Sequence, residues 1–155
     1  MRKQNRECLD PAFFDEVFST AEDLCLAMHD GDFPYVIPLN FVRQGNIIYI
    51  HCALEGHKLD CISRNPNVAF TLAADVRIHQ EKSTTYYKSV CGTGRAVLVV
   101  DPAEKGRALD ALAPALLEQR GQGLRRGADQ RPDQLRERQA ATGCEVPGRY
   151  RGGRS

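Results

Sequence analysis

The sequence predicts a mainly β fold with peripheral helices, a small barrel of about six antiparallel strands. Two observations carry the prediction. Short apolar runs of strand length alternate with turn signals, as at Asp30-Gly31-Asp32 and Arg43-Gln44-Gly45-Asn46. Helical segments are few and sharply bounded: Asp-Pro pairs at 10–11 and 101–102 open two of them, and Asn65-Pro66 closes a short third.

Taken in order, the first dozen residues read as polar and loosely held. Asp10 caps a helix with proline at its first position, and Phe14, Val17, Phe18 and Ala21 recur on one face. Leu24 to Met28 is strand-like, and Pro34 to Val42 is a second strand after the Asp-Gly-Asp turn. Neither Pro34 nor Pro38 can donate to a ladder, so this strand lies at an edge, begins late or is bulged. Ile47 to Cys52 is the third strand. Lys58 to Arg64 is a short helix with Leu59 and Ile62 on one side. Val68 to Ala73 is a fourth strand, and Tyr86 to Val100 is one or two more, with Gly92 and Gly94 allowing a bend or a close backbone approach. A last helix runs from Pro102 through Leu112.

After Leu112 the character changes. Residues 113–155 hold nine of the sixteen arginines, seven of the thirteen glycines and none of the five lysines. Residues 1–112 carry a net charge of −3 and the remainder +4. Pro114, Pro132 and the glycines break any helix that Leu116, Leu117, Leu124 and Leu135 begin. The chain therefore divides into a folded unit over 1–112 and an atypical Arg/Gly-rich tail over 113–155. The tail reads as weakly ordered polypeptide or as the product of a slipped reading frame, because Ala, Arg, Gly, Gln and Pro are what GC-rich DNA encodes in any frame. A slipped frame would leave the barrel without its last strand, and a nucleic-acid arm is the minor alternative.

The 155 residues suit one domain with a real core, and the net charge of +1 points to no nucleic-acid or membrane partner. No run approaches the roughly 18 apolar residues of a membrane span, and the N-terminus shows no secretory pattern. The expected location is the cytoplasm. Six scattered cysteines with no C-x-x-C read as reduced thiols. A zinc site built from Cys52, Cys61 and His51 or His57 lacks the usual paired spacing, so no metal is expected.

The stretch "IYIHCALEGHKLD" (48–60) is the chemically dense part of the chain. Lys58 supplies a point charge, His57 a ring N–H, and the backbone near Gly56 a helix start, together the donors a phosphate needs. Against this, His51 also suits a structural strand-end histidine and Lys58 a solvated lysine. Lysine at a helix N-terminus is unfavourable, though, unless an anion faces it.

Five segments in order, "PYVIPLNF" (34–41), "IYIHCALEGHKLD" (48–60), "RNPNVAF" (64–70), "YYKSVCGTGRAVLV" (86–99) and "DPAEKGRALDAL" (101–112), resemble the FMN-binding split-barrel proteins of the pyridoxamine-phosphate-oxidase-like superfamily. The nearest branch is that of the 5-nitroimidazole-resistance proteins. The resemblance implies a split barrel, an FMN cofactor and a homodimer that shares its two sites. It implies that His51, Cys52, Ala53, His57 and Lys58 surround the phosphate, with a thiol at 52 where relatives carry a small hydroxyl. It further implies that Val36, Ile37, Pro38, Leu39 and Asn40 meet the flavin ring, and that Ser89 and Val90 reach the cofactor across the barrel. His51 is the one side chain expected beside the reacting ring, as a catalytic proton donor. FAD or a deazaflavin would leave the same phosphate corner. The implied activity is that of a flavin-dependent oxidoreductase taking electrons from a reduced nicotinamide and passing them to a small acceptor such as a nitroaromatic compound. The alternative is a flavin- or haem-binding protein for carriage or sensing.

Overall fold

The structure of the protein, a computed structural model, describes residues 7–81, 83–121, 139–145 and 151–154. After a two-residue strand β1 (Glu7–Cys8), Asp10 caps α1 (Pro11–Thr20), its carboxylate accepting the Ala12 N–H at 3.0 Å. β2 (Leu24–Asp30) and β3 (Phe33–Leu39) form a hairpin around Gly31, which takes φ +62°. The single strand expected over 34–42 is in fact two, because β4 (Phe41–Gln44) begins just after Asn40 and pairs with a different neighbour. β5 (Ile47–Ala53) and α2 (His57–Arg64) follow as expected. β6 (Asn67–His79) and β7 (Thr84–Leu98) are longer than their apolar runs, since polar residues extend the hairpin past a bulge at Ala74/Arg77. Asp75 sits in that bulge at φ +54°, which aspartate tolerates better than most residues.

α3 (Pro102–Gly121) passes Leu112 and keeps Pro114 inside it. A helical proline costs one hydrogen bond and a clash with the preceding turn, and here the helix continues through it. β8 (Gln139–Glu145) and β9 (Arg151–Arg154) come from the Arg/Gly-rich segment. β8 lies between β7 and β5, pairing Leu98 with Thr142 and Ile50 with the same residue. The helical stretches expected around Leu124 and Leu135 and the break at Pro132 lie outside the described residues, as do residues 1–6.

The sheet order is β3-β2-β6-β7-β8-β5-β4, with β9 joining β7 to β1, and every pairing is antiparallel. The two strands at the ends of this path, β3 and β4, are joined through Asn40 alone. One residue spans only about 3.3–3.6 Å, so the two edges must come together and the sheet curls into a barrel. The prolines of β3 sit on its end strand, where a missing donor is cheapest.

α1 plugs the interior. Phe13, Phe14, Val17 and Phe18 are buried against Leu24, Leu26 and Met28 of β2, Ile48 and Ile50 of β5, and Val68, Phe70 and Leu72 of β6. Each such side chain contributes roughly 1.5–3 kcal/mol on full burial. Phe18 packs edge-on to Phe41 and tilted against Phe70, and the Arg43 guanidinium covers its ring at 4.9 Å. A smaller cluster seats α3 outside β5 through Tyr49, Val99, Ala108 and Leu112. Glu104 of α3 accepts the Tyr49 hydroxyl at 2.9 Å. Lys88 ties β7 to Glu16 of α1 and, at 2.9 Å, to Asp75 of the bulge. No helix among the described residues is long and apolar enough to cross a membrane.

Gly92 of β7 leaves no room for a side chain. It lies opposite Phe70, whose ring covers it so closely that a Cβ would sit 2.5 Å from Cζ. Gly92→Ala therefore forces the Phe70 ring out of its seat and is expected to lower the unfolding free energy by about 1–3 kcal/mol, read as a fall in urea midpoint. Gly106→Ala, inside α3 with open space around it, is expected to raise stability by roughly 0.5–1 kcal/mol.

Candidate functional site

β5 alternates its side chains across the barrel wall. Ile48, Ile50 and Cys52 are buried toward the interior, Cys52 only 6% exposed, while Tyr49 faces α3. His51 shares the Tyr49 face by the period-2 rule. The chain leaves β5 through Leu54 and Glu55 and reaches Gly56, whose φ of +134° suits glycine alone. Gly56 offers no side-chain cap to α2, so the first-turn N–H groups of that helix lack a side-chain acceptor.

Lys58 lies back along this turn, half-buried, and its ammonium donates to the His51 carbonyl oxygen at 3.4 Å. Among the described residues no carboxylate pairs with it. Burial pushes the Lys58 pKa down, partly opposed by the neighbouring Cys52. The His51 imidazole is held below its ordinary value, first by burial and then by the Lys58 charge. Among the described residues its buried Nδ1 has no hydrogen-bond partner. A half-buried cation without an anion, an orphaned ring nitrogen and an uncapped helix start thus occupy one corner. Their chemistry fits an anionic group carrying hydrogen-bonding oxygens.

The other expected residues distribute unevenly. Ala53 is exposed at the same strand end. His57 opens α2, but its Nε2 is engaged with Asp30 Oδ2 at 2.7 Å, and its ring packs edge-on to Tyr35 at 4.9 Å. That ring contact brings β3 against the start of α2. Along β3, Val36 and Pro38 face outward and exposed, Ile37 and Leu39 pack inward against the core, and Asn40 is the link to β4. Ser89 is half-buried on β7, and Val90 is wholly buried in the core, between Leu72 of β6 and Gly152 of β9. Ser89 and Val90 both lie on the stretch of β7 that pairs with β9, whereas β8 pairs with β7 further along, from Arg95 to Leu98. A separate open cleft of about 700 Å³ lies on the outer face of β2, β3, β6 and β7, lined among others by Ala27, His29, Phe33, Ala69, Thr93 and Arg95.

A sequence model of the pyridoxamine 5'-phosphate oxidase family matches residues 12–146. The chain belongs to that family. The match runs beyond Leu112 and takes in β8. Solved structures agree on the split-barrel fold. The chain is similar to a candidate 5-nitroimidazole antibiotic resistance protein of Bacteroides thetaiotaomicron, with a TM-score of 0.73 at 20% identity, covering 94% of this chain and 84% of that one. It is similar to an FAD and heme binding protein of Mycobacterium smegmatis, with a TM-score of 0.73 at 20% identity over 97% and 73% of the two chains. It is similar to an FAD-binding protein of Mesorhizobium loti, with a TM-score of 0.70 at 19% identity over 97% of each. Among curated proteins, an uncharacterized protein of Rhizobium meliloti (strain 1021) is 33% identical over 70 residues, 45% of this chain and 42% of that relative.

Within this family member, sequence reasoning missed the group around His57. Asp30 bonds both His57 and, at 3.0 Å, Arg64, and Cys61 Sγ lies 3.7 Å from His57 Nε2. The available signal was His57-x-x-x-Cys61, one helical turn on one face. Asp30 carried no signal, because it comes from a strand end 27 positions away.

The His51 shift fixes a pH dependence for the ligand-free protein. Its folded pKa lies below the unfolded value of about 6.5. Between the two, the unfolded chain binds the extra proton, so stability falls as pH drops through that window and is untouched by His51 above it. His51→Gln is expected to flatten this part of a plot of urea midpoint against pH, leaving the slope at lower pH in place.

Proposed function

We propose that the corner formed by Lys58 and the start of α2, at the end of the strand that carries His51, binds the phosphate of a flavin, with FMN as the form and FAD or a deazaflavin as variants of the same head group. The observation that supports this reading is the half-buried Lys58 ammonium, which has no carboxylate partner among the described residues and donates to the His51 carbonyl oxygen. A dianion there offsets the burial cost of Lys58. His57, already engaged by Asp30, contributes through its backbone N–H at the helix start. The outward edge of β3, at Val36 and Pro38, offers a flat apolar surface with backbone polar groups beside it for the ring.

When bound, a flavin supplies hydride and electron transfer. This chain's residues bind it, orient it and limit water around it. The reading is a flavin-dependent oxidoreductase of the cytoplasm, drawing on a reduced nicotinamide and acting on a small acceptor such as a nitroaromatic compound. His51 is the proton donor in it. The protein works as a homodimer through the exposed outer face of β3, β2, β6 and β7, where Ala27, Ala69, Thr71, Ala73 and Cys91 keep the surface low. The second reading is a flavin- or haem-binding protein without turnover. It is favoured by the lack, among the described residues, of a second acid or base paired with His51, and by the solved relatives described by what they bind.

Adding FMN to the purified full chain is expected to give a protein-bound flavin spectrum on a species of twice the chain mass by light scattering. Lys58→Ala is expected to weaken FMN about ten- to a hundredfold, the loss of a charge-assisted contact to a dianion. Undiminished affinity in that variant removes the phosphate assignment. Reduction of the bound flavin by NADH or NADPH, followed by reoxidation with a nitroaromatic acceptor, separates the oxidoreductase from the binding protein. At saturating FMN, His51→Ala is expected to slow turnover by about a hundredfold, and an unchanged rate removes the proton-donor role.

A further inference from the structure

We propose that Asp30, His57 and Cys61 form a binding site for a thiophilic divalent cation, with Zn2+ the chemistry that fits best. His57 and Cys61 stand one turn apart on the same face of α2, and Asp30 meets them from the end of β2. One oxygen, one nitrogen and one sulfur lie within 4.8 Å of one another. Two ligands on a tetrahedral zinc ion, at bond lengths of about 2.3 Å for sulfur and 2.0–2.1 Å for nitrogen or oxygen, are separated by about 3.6 Å (S and N) and about 3.3 Å (O and N). The observed Cys61 Sγ to His57 Nε2 distance is already 3.7 Å. The 2.7 Å hydrogen bond between His57 Nε2 and Asp30 Oδ2 opens by about half an ångström, with the imidazole giving up the proton it shares to solvent, and the Asp30 oxygen and Cys61 Sγ, within 4.8 Å of each other, settle at about 3.6 Å.

The surroundings suit a cation bound in this way. Arg64 holds Asp30 through the other oxygen, Oδ1, at 3.0 Å, which leaves Oδ2 for the metal and fixes the carboxylate's orientation. The same guanidinium lies 3.5 Å from Cys61 Sγ, so Arg64 spans the carboxylate and the sulfur. Cys61 is fully buried while the His57 side chain is 52% exposed, so an ion enters from the solvent side past the imidazole and meets the sulfur at the bottom. Tyr35 packs against the His57 ring and limits its rotation. A mixed thiolate, imidazole and carboxylate set selects zinc-like ions over magnesium or calcium, and three protein ligands leave the fourth position for water. Occupancy would clip the start of α2 to the β2–β3 hairpin, one residue from Lys58.

The test uses the full, untagged chain, stripped with a chelator and kept reduced with a phosphine, and titrates it with Co2+ in the absence of flavin. The expected result is one equivalent bound, with a thiolate-to-cobalt charge-transfer band and the intense visible bands of tetrahedral cobalt, all displaced by Zn2+. Cys61→Ser is expected to remove the charge-transfer band and Asp30→Asn to weaken Co2+ at least about tenfold, while Cys91→Ser changes neither. Asp30 is only partly buried, so Asp30→Asn decides the matter if Cys61→Ser does not fold. The proposal is overturned if no charge-transfer band forms at stoichiometric Co2+, if Cys61→Ser retains it, or if Asp30→Asn binds as tightly as the parent chain. Because the readout is the metal's own spectrum without flavin, a failure here leaves the flavin reading standing, and the reverse.

Discussion

The barrel depends on a covalent constraint at Asn40. The strands on either side of this residue belong to opposite ends of the hydrogen-bonded order, β3 to β2 and β4 to β5. A flat sheet would hold these edges several strand widths apart, at roughly 4.8 Å per strand. The chain permits them one residue of separation, so the sheet has to roll. Rolling creates an interior that must be filled, and α1 fills it with four apolar side chains capped into place by Asp10. It also sets how closely the wall can be lined, and Phe70 lies flat on the wall only because Gly92 opposite it has no side chain.

The same closure assembles the chemistry. Once β3 returns to the neighbourhood of β5, the loop leaving β5 has to start α2 against the β2–β3 hairpin. Tyr35 and Asp30 then meet His57, while Lys58, one residue on, lies back over the end of β5 toward the His51 carbonyl. Successive residues of a helix point about 100° apart, so His57 and Lys58 serve different surroundings. His57 joins an oxygen, nitrogen and sulfur cluster held by Arg64. Lys58 is left half-buried and without an anion. The phosphate reading and the metal reading thus occupy adjoining faces of one short helix and compete for no side chain.

Electrostatics sharpens that division. Asp30 is held below the usual carboxylate range, first by its hydrogen bond to His57 and, with burial opposing, by Arg64. It is therefore ionised and satisfied. Lys58 and His51 are instead both pushed toward their neutral forms by burial, and the Lys58 charge adds to the effect on His51. A site whose cationic groups are destabilised in the empty protein is one that an anion stabilises on arrival.

By itself the sequence determined the β character of the fold, both Asp-Pro helix starts, the placement of the proline strand at an edge, and the dense stretch from His51 to Lys58. These were legible because each is a local preference: a period of two, a cap, a missing donor, a cluster of polar residue types near a glycine. Only the tertiary structure decided the rest. The break at Asn40 was invisible because both halves of 34–42 are good strand, and what divides them is the identity of their partners. The meeting of Asp30 with His57 and Arg64 was invisible because strand ends far apart in sequence carry no mark of who faces them. Val90 reads along the chain like any other strand residue, yet it is sealed in the core, since inward or outward is fixed by register across the sheet. Local chemistry selects which residues can act. The direction each one faces is settled by pairing over long distances in the chain.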